Sequence, residues 1–101
     1  MDCGLSETTL NRIVDVFKKY PSVSQAILYG SRAKGNYKHG SDIDITLVGS
    51  ALSLHILGKI EWELDDLLLP NMFDLSIYHH ISNDELIAHI NRVGKTIYKA
   101  E

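Results

Sequence analysis

Residues 29–48 read YGSRAKGNYKHGSDIDITLV, and this stretch decides the fold. It begins with a Gly-Ser turn beside basic residues and ends in a run where polar and apolar residues alternate. Alternation with a period of two is typical of a β-strand with one buried face. On such a strand Asp42, Asp44 and Thr46 share one face, and the isoleucines between them lie on the other. The sequence therefore predicts a strand that carries two carboxylates and follows a glycine-rich loop.

The composition fits one small domain. The chain has 101 residues, of which 45% are hydrophobic, and a formal net charge of −3. We therefore expect residues 1–101 to form one domain around one core. The acidic balance argues against direct binding of nucleic acid by a basic surface. The lone Cys3 cannot form an internal disulfide. We find no secretory signal and no membrane-spanning apolar run, and so expect a cytoplasmic protein that does not bind membranes.

Helix and strand patterns alternate along the chain. Ser6 is a candidate N-cap for a first helix that ends before Pro21. The remaining patterns predict a strand at 23–29, a loop at 30–40, a strand at 42–48, a helix at 51–69, a strand at 72–79, a helix at 83–93 and room for a short strand at 96–98. This order indicates an α/β (α+β) domain.

The third predicted strand has the same two faces as the second. Phe73, Leu75 and Ile77 form an apolar face, while Asp74 and Ser76 lie on the other. If the helices pack on the apolar face of both strands, the aspartate faces open on the same side of the sheet. The sequence therefore places the aspartates of the two strands together.

Asp42, Asp44 and Asp74 are candidate metal ligands and catalytic residues. Paired strands lie about 5 Å apart, so the three carboxylates can converge. They would repel one another unless a cation neutralised them. Mg²⁺ prefers oxygen ligands and leaves positions open for phosphate, and two such ions can hold the attacking and leaving oxygens in phosphoryl transfer.

The Gly-Ser turn is a candidate phosphate site. Gly30 permits close backbone approach to a ligand, and Ser31 offers a hydroxyl and an N–H group. Arg32 and Lys34 add positive charge nearby. His39 is expected to be a solvated loop residue, with a nucleotide contact as the alternative. The sequence thus predicts phosphate binding at one end of the stretch and metal binding at the other.

Two common acidic or glycine-rich motifs do not fit. An EF-hand loop beginning at Asp42 would need Gly where Leu47 stands and Glu where Ser53 stands. A P-loop beginning at Gly35 fails because Ser41 and Asp42 occupy the positions of the required Lys and Ser/Thr. The carboxylates and the turn are therefore better explained together than apart.

The predicted helix at 51–69 has one buried stripe, centred on Ile60 and formed by Ser53, Leu57, Ile60, Leu64, Leu67 and Leu68. Trp62 falls on the opposite side of this helix. A tryptophan there indicates either packing under a neighbouring loop with partial exposure, or a protein interface. The surrounding residues are acidic and would suit a basic partner.

Together, the two halves form the pattern GS-x10-D-x-D, which runs from Gly30 to Asp44. This pattern resembles the signature of the DNA polymerase β-like nucleotidyltransferase superfamily, and Asp74 stands where that superfamily places a third carboxylate. The fuller run GSRAKG…SDIDI is similar to that of the minimal nucleotidyltransferases, the MNT or MntA-like proteins. Chain length and element order suit this resemblance over nearly the whole chain.

The resemblance implies a mixed β-sheet with helices on one face and Mg²⁺ held by Asp42, Asp44 and Asp74. It also implies transfer of AMP from ATP to a hydroxyl, with Asp74 as general base or metal ligand and Gly30 and Ser31 at the triphosphate. Minimal nucleotidyltransferases resemble one half of a toxin–antitoxin pair. The implied function is therefore an antitoxin that adds AMP to a tyrosine of a helical HEPN toxin.

Two other functions stay open at this point. One is a nucleotide-binding module that neutralises its partner by contact, without catalysis. The other is nucleotidyl transfer to RNA or to a small molecule. The sequence identifies neither the acceptor, the base preference nor the stoichiometry of a complex.

Overall fold

A computed structural model describes residues 3–38 and 40–101, so the expectation for His39 lies outside the described residues. The elements are α1 (Glu7–Lys18), β1 (Gln25–Tyr29), α2 (Gly30–Lys34), β2 (Ile43–Val48), α3 (Leu54–Asp65), β3 (Phe73–Ile77), a 3₁₀ turn (Tyr78–His80), α4 (Asp84–Val93) and β4 (Lys95–Lys99). The predicted order and the short last strand are confirmed. No described helix has the length and apolar character needed to span a bilayer.

The strands form one mixed sheet in the order β3-β2-β1-β4. β1 runs antiparallel to β2 and β4, and β2 runs parallel to β3. The parallel pair requires a crossover, which α3 supplies between β2 and β3. The predicted α+β fold with a mixed sheet is confirmed, and β2 lies inside the sheet while β3 forms its edge.

The core lies on the apolar face of the sheet. Ile43, Ile45 and Leu47 of β2 are completely buried. They share one cluster with side chains of the two long helices, including Phe17 of α1 and Ile60 of α3. Burying this face fixes the register, because a slip of one residue would turn the apolar side chains of β2 towards solvent. The aspartate positions of β2 and β3 are therefore set by the packing of α1 and α3.

α3 is shorter than the predicted helix at 51–69. Ser53, expected on the buried stripe, instead caps α3, and its hydroxyl oxygen accepts a hydrogen bond from the Ile56 N–H (3.2 Å). Serine favours this position because its side chain satisfies a free amide of the first turn. Leu68, also expected on the stripe, is 87% exposed beyond the helix and has a φ of 55°.

The expectation that the helices pack on one face holds for α1 and α3 but is wrong for α4, which contacts the opposite face of the sheet near β1. Ile27 pairs with Thr46 and therefore lies on the aspartate face. A Cβ on Gly94, at the end of α4, would meet the Ile27 side chain at 2.7 Å. α4 thus flanks the aspartate face and leaves the β2–β3 side open.

Candidate active site

Asp44 and Asp74 are direct neighbours across the parallel β2–β3 pair. On its other side, Asp44 is paired with Tyr29, the last residue of β1. Asp42 lies immediately before β2 and is exposed. The structure therefore brings together the two aspartates of the paired strands, and it places the third at the entrance of the same strand.

The pKa of Asp44 is raised to about 6. The largest cause is burial of the carboxylate, followed by repulsion from Asp74 and Asp42, while Arg32 acts in the opposite direction. Burial and like charges both disfavour the ionised form. Asp44 therefore lies at an electrostatically unfavourable site, which a bound cation would relieve.

Gly30 packs directly against Asp44. It has a φ of 75°, and a Cβ added to it would collide with the Asp44 carboxylate. A side chain at this position is thus excluded both by the backbone conformation and by lack of space. The Gly30 N–H donates to Nε2 of His89 (3.1 Å). The sequence assigned the space at Gly30 to a ligand, whereas in the structure the Asp44 side chain occupies it.

The three polar residues predicted beside the phosphate lie on α2 in different surroundings. Ser31 is half-buried and Lys34 is exposed. Arg32 is buried, with 3% of its surface exposed. Its guanidinium donates to the main-chain oxygens of Cys3 (2.8 Å) and Ser41 (3.0 and 3.2 Å). Arg32 therefore holds two loop segments in place and does not extend into solvent as a free cation.

The Ser41 carbonyl anchors the entrance to β2. Besides Arg32, it accepts a hydrogen bond from the Asn71 side chain (3.1 Å), just before β3. Two residues further along, the Ile43 N–H donates to the Met72 oxygen (2.9 Å). Asp42 lies between these two anchors, so its main chain is fixed on both sides while its side chain stays exposed.

Hydroxyl groups continue the polar face beyond the aspartates. Ser76 follows Asp74 on that face, and its Oγ donates to Oγ1 of Thr46 (2.9 Å). Tyr29 is 7% exposed. Burial and the nearby Asp74 and Asp44 raise the pKa of its hydroxyl, and a hydrogen bond with Ser76 opposes them. The hydroxyl groups of Ser76, Thr46 and Tyr29 thus extend the polar face next to the carboxylates.

A family model described as Polymerase beta, Nucleotidyltransferase matches residues 11–101. The chain belongs to this nucleotidyltransferase family. A search of curated proteins with the sequence gave no match. The predicted family is thus confirmed over nearly the whole chain.

Solved structures support the same fold. One, of a toxin–antitoxin with AMP-PNP, superposes with a TM-score of 0.74 at 21% identity over 91% of this chain and 74% of that one. Another, of tri-AMPylated Shewanella oneidensis HEPN toxin in complex with MNT antitoxin, gives 0.71 at 18% identity over 95% and 74%. A third, of the toxin–antitoxin MntA-HepT, gives 0.71 at 18% identity over 94% and 74%. The nucleotidyltransferase domain thus has the fold found in minimal nucleotidyltransferases.

The donor set of this nucleotidyltransferase suits Mg²⁺. Asp42, Asp44 and Asp74 offer only oxygen ligands, and burial together with the carboxylates of Asp74 and Asp42 raises the pKa of Asp44. Within residues 3–38 and 40–101, no group of three acidic, histidine or cysteine side chains stands close enough to hold a metal ion, so the three aspartates do not form a complete ligand set as they stand. The residues thus fit the ion by chemistry and strand position, and the metal role stays a prediction.

Sequence reasoning missed two residues of the site. Neither Tyr29 nor His89 was named as a candidate site residue from the sequence. Tyr29 lies against Asp44 in the sheet, and its ring contacts that of His89 edge-on at 6.2 Å between centroids. Tyr29 ends a strand whose alternation signals its face. His89 carried no signal, because 59 residues separate it from Gly30.

Proposed function

We propose that this protein transfers AMP from ATP to the tyrosine hydroxyl of a HEPN-family toxin, and so acts as the antitoxin of a toxin–antitoxin pair. The observation that carries the proposal is the pairing of Asp44 with Asp74 beside the Gly30–Ser31 turn. Carboxylates on neighbouring strands next to a tight glycine turn suit metal-assisted phosphoryl chemistry.

In the proposed reaction, the acceptor oxygen forms a bond to the α-phosphorus of ATP. The bond from that phosphorus to its bridging oxygen breaks, and pyrophosphate leaves with the electron pair. Asp42, Asp44 and Asp74 would hold Mg²⁺, and the ion would supply charge neutralisation and polarisation at the triphosphate. The Gly30–Ser31 turn binds the triphosphate, with Lys34 as a nearby cation. Asp74 accepts the hydroxyl proton of the acceptor.

The position of Asp74 supports its role towards the acceptor. Asp74 is exposed and lies on β3, the edge strand, whereas Asp44 lies on the interior strand β2. α4 covers the other end of the aspartate face. An acceptor therefore approaches from the β3 side, where it meets Asp74 first.

The proposal of a HEPN partner is supported by solved structures of toxin–antitoxin complexes in which one chain has this fold. With a formal charge of −3 this chain is acidic, and that charge favours a basic protein partner over nucleic acid. Exposed Trp62 adds an apolar anchor of the kind found at interfaces.

The test combines the protein, ATP labelled at the α-phosphate, Mg²⁺ and a purified HEPN protein. We expect label on the HEPN chain, at a tyrosine, and none with Asp44→Asn or without divalent cation. Neutralisation of the HEPN protein without label transfer would instead establish the binding module. Label appearing only on added RNA or a small molecule would redirect the activity to that acceptor.

A further inference from the structure

His89 of α4 reaches across to the turn that begins α2. Its Nε2 accepts a hydrogen bond from the Gly30 N–H at 3.1 Å, and this bond is partly buried. The His89 ring also stands edge-on to Tyr29, with an interplanar angle of 80°. Two neighbouring residues at the end of β1 are thus held by one side chain from the far end of the sequence.

The direction of this hydrogen bond defines the state of the imidazole. A backbone N–H only donates, so Nε2 must present its lone pair, and the proton of the neutral ring is carried by Nδ1. The amide of Gly30 is one of the first in α2 and has no partner within that helix. His89 supplies the missing acceptor.

Gly30 has little freedom once this bond is made. On one side its Cα packs against the Asp44 carboxylate so closely that a Cβ has no room. On the other side its amide is fixed by His89. Together the two contacts set where the Gly30–Ser31 turn stands relative to the aspartates.

We propose that His89 is a positioning residue of the nucleotide site: by holding the Gly30 amide, it seats the Gly-Ser turn on Asp44 and so aligns Ser31 with the carboxylates. The inference rests on the proposed function, because it assumes that the turn binds the triphosphate. It adds a residue outside the GS-x10-D-x-D pattern, contributed by α4.

The experiment compares wild type with His89→Ala, His89→Gln and His55→Ala. Glutamine keeps an acceptor close to the position of Nε2, and His55 is exposed on α3 and serves as the matched control. The affinity for AMP-PNP with Mg²⁺ is measured by calorimetry, and exchange of the Gly30 amide proton by NMR. Thermal unfolding of each variant confirms that it is folded.

We expect His89→Ala to weaken AMP-PNP binding by about 3- to 10-fold, the equivalent of one neutral hydrogen bond. Exchange at Gly30 should become faster in the same variant. His89→Gln should restore both, and His55→Ala should match wild type.

Three results would overturn the inference in distinguishable ways. Equal affinities of wild type and His89→Ala, with wild type binding normally, would remove His89 from the nucleotide site and leave the proposed function standing. Absence of AMP-PNP binding by wild type itself would overturn the proposed function, and the positioning role with it. If glutamine fails to restore affinity although Gly30 exchange is again slow, the hydrogen bond is only structural.

Discussion

Arg32 and Ser41 are joined by two hydrogen bonds, from Nε (3.2 Å) and Nη2 (3.0 Å) of the guanidinium to one carbonyl oxygen. The guanidinium is planar and carries several N–H donors in fixed directions, so it can hold one oxygen firmly and still bond the Cys3 carbonyl. This contact ties α2 to the residue before Asp42. An arginine that looked suited to phosphate thus positions a carboxylate through the main chain.

Arg32→Ala should destabilise the protein by about 2–4 kcal/mol, since it leaves buried carbonyl groups with fewer or no donors. Arg32→Lys should recover little, because one ammonium cannot reproduce the forked geometry. Denaturant unfolding measures both. Lys34→Ala, on the same short helix but exposed, is the control and should unfold like wild type. A stable Arg32→Ala variant would mean that Asn71 alone holds Ser41.

Gly30→Ala should abolish nucleotide transfer and destabilise the fold more than Gly35→Ala. Both glycines have positive φ, 75° and 87°, so both substitutions carry a similar strain of about 1–2 kcal/mol. Only at Gly30 does the new Cβ collide with Asp44, because no atom lies within 4 Å of a Cβ at Gly35. Thermal unfolding and transfer assays on the pair separate strain from collision. Equal losses at the two positions would argue against the seating of Gly30 on Asp44.

Asp44 should make the metal-free protein less stable as the pH rises. Its folded pKa of about 6 lies above the usual value of about 3.9, so the folded chain binds the proton more tightly. The stabilisation is fully present below pH ~4 and is lost as the pH rises through about 6.

Asp44→Asn should therefore be more stable than wild type above pH ~6 in EDTA, by about 1–2 kcal/mol after allowance for solvent screening. The difference should shrink below pH ~4, and Mg²⁺ should stabilise wild type more than the variant. Unfolding curves from about pH 3 to about pH 8 provide the measurement, with the exposed Asp15→Asn as control. A pH-independent difference would assign the effect to something other than ionisation of Asp44.

Asp42→Ala, Asp44→Ala and Asp74→Ala should each abolish transfer while the fold survives. Phosphoryl transfer depends on charge neutralisation by the ions that these groups are proposed to hold. The fold tolerates the changes because none of the three belongs to the hydrophobic core. Circular dichroism and transfer of labelled AMP test each variant. Full activity of the Asp42 or Asp44 variant would sink the assignment.

Trp62→Ala should change stability by no more than about 0.5 kcal/mol, since the side chain is 74% exposed. It should weaken binding to a HEPN partner and leave AMP-PNP affinity unchanged. Met72→Ala removes a side chain of similar exposure (75%) that lies just before β3 and does not line the pocket around Trp62, and it serves as control. Calorimetry with partner and nucleotide on the same variants decides the matter. Unchanged partner affinity would leave Trp62 as an exposed residue without an interface.

The alternation in Asp42–Val48 and Phe73–Ile77 was sufficient to predict the carboxylate face, because a period of two with one apolar side leaves a single arrangement. Asp44 and Asp74 are indeed paired in register. Helix ends were less predictable. Ser53 and Leu68 fit the periodicity of α3, but capping and a left-handed residue end the helix before periodicity does.

The sequence did not predict hydrogen bonds between residues that lie far apart in the chain. Nothing near Arg32 in the sequence shows that its charge will be buried against Cys3 and Ser41 carbonyls. Likewise, nothing in the sequence around His89 indicates that it will contact Gly30. Such contacts follow from how α4 and the loops pack, which local patterns do not encode.

The hydrogen bond between Gly30 and His89 can form only late in synthesis of the chain, so the site is completed late. A nascent chain that has emerged as far as residue 83 already contains the Gly-Ser turn and all three aspartates, but not the acceptor of the Gly30 amide. A contact that spans 59 residues forms late. The intervening chain must first lose entropy by closing into a loop, before the contact can contribute free energy. A ligand that binds only the finished site stabilises only finished molecules. The nucleotide that we propose as ligand would therefore favour completed domains over partly made ones.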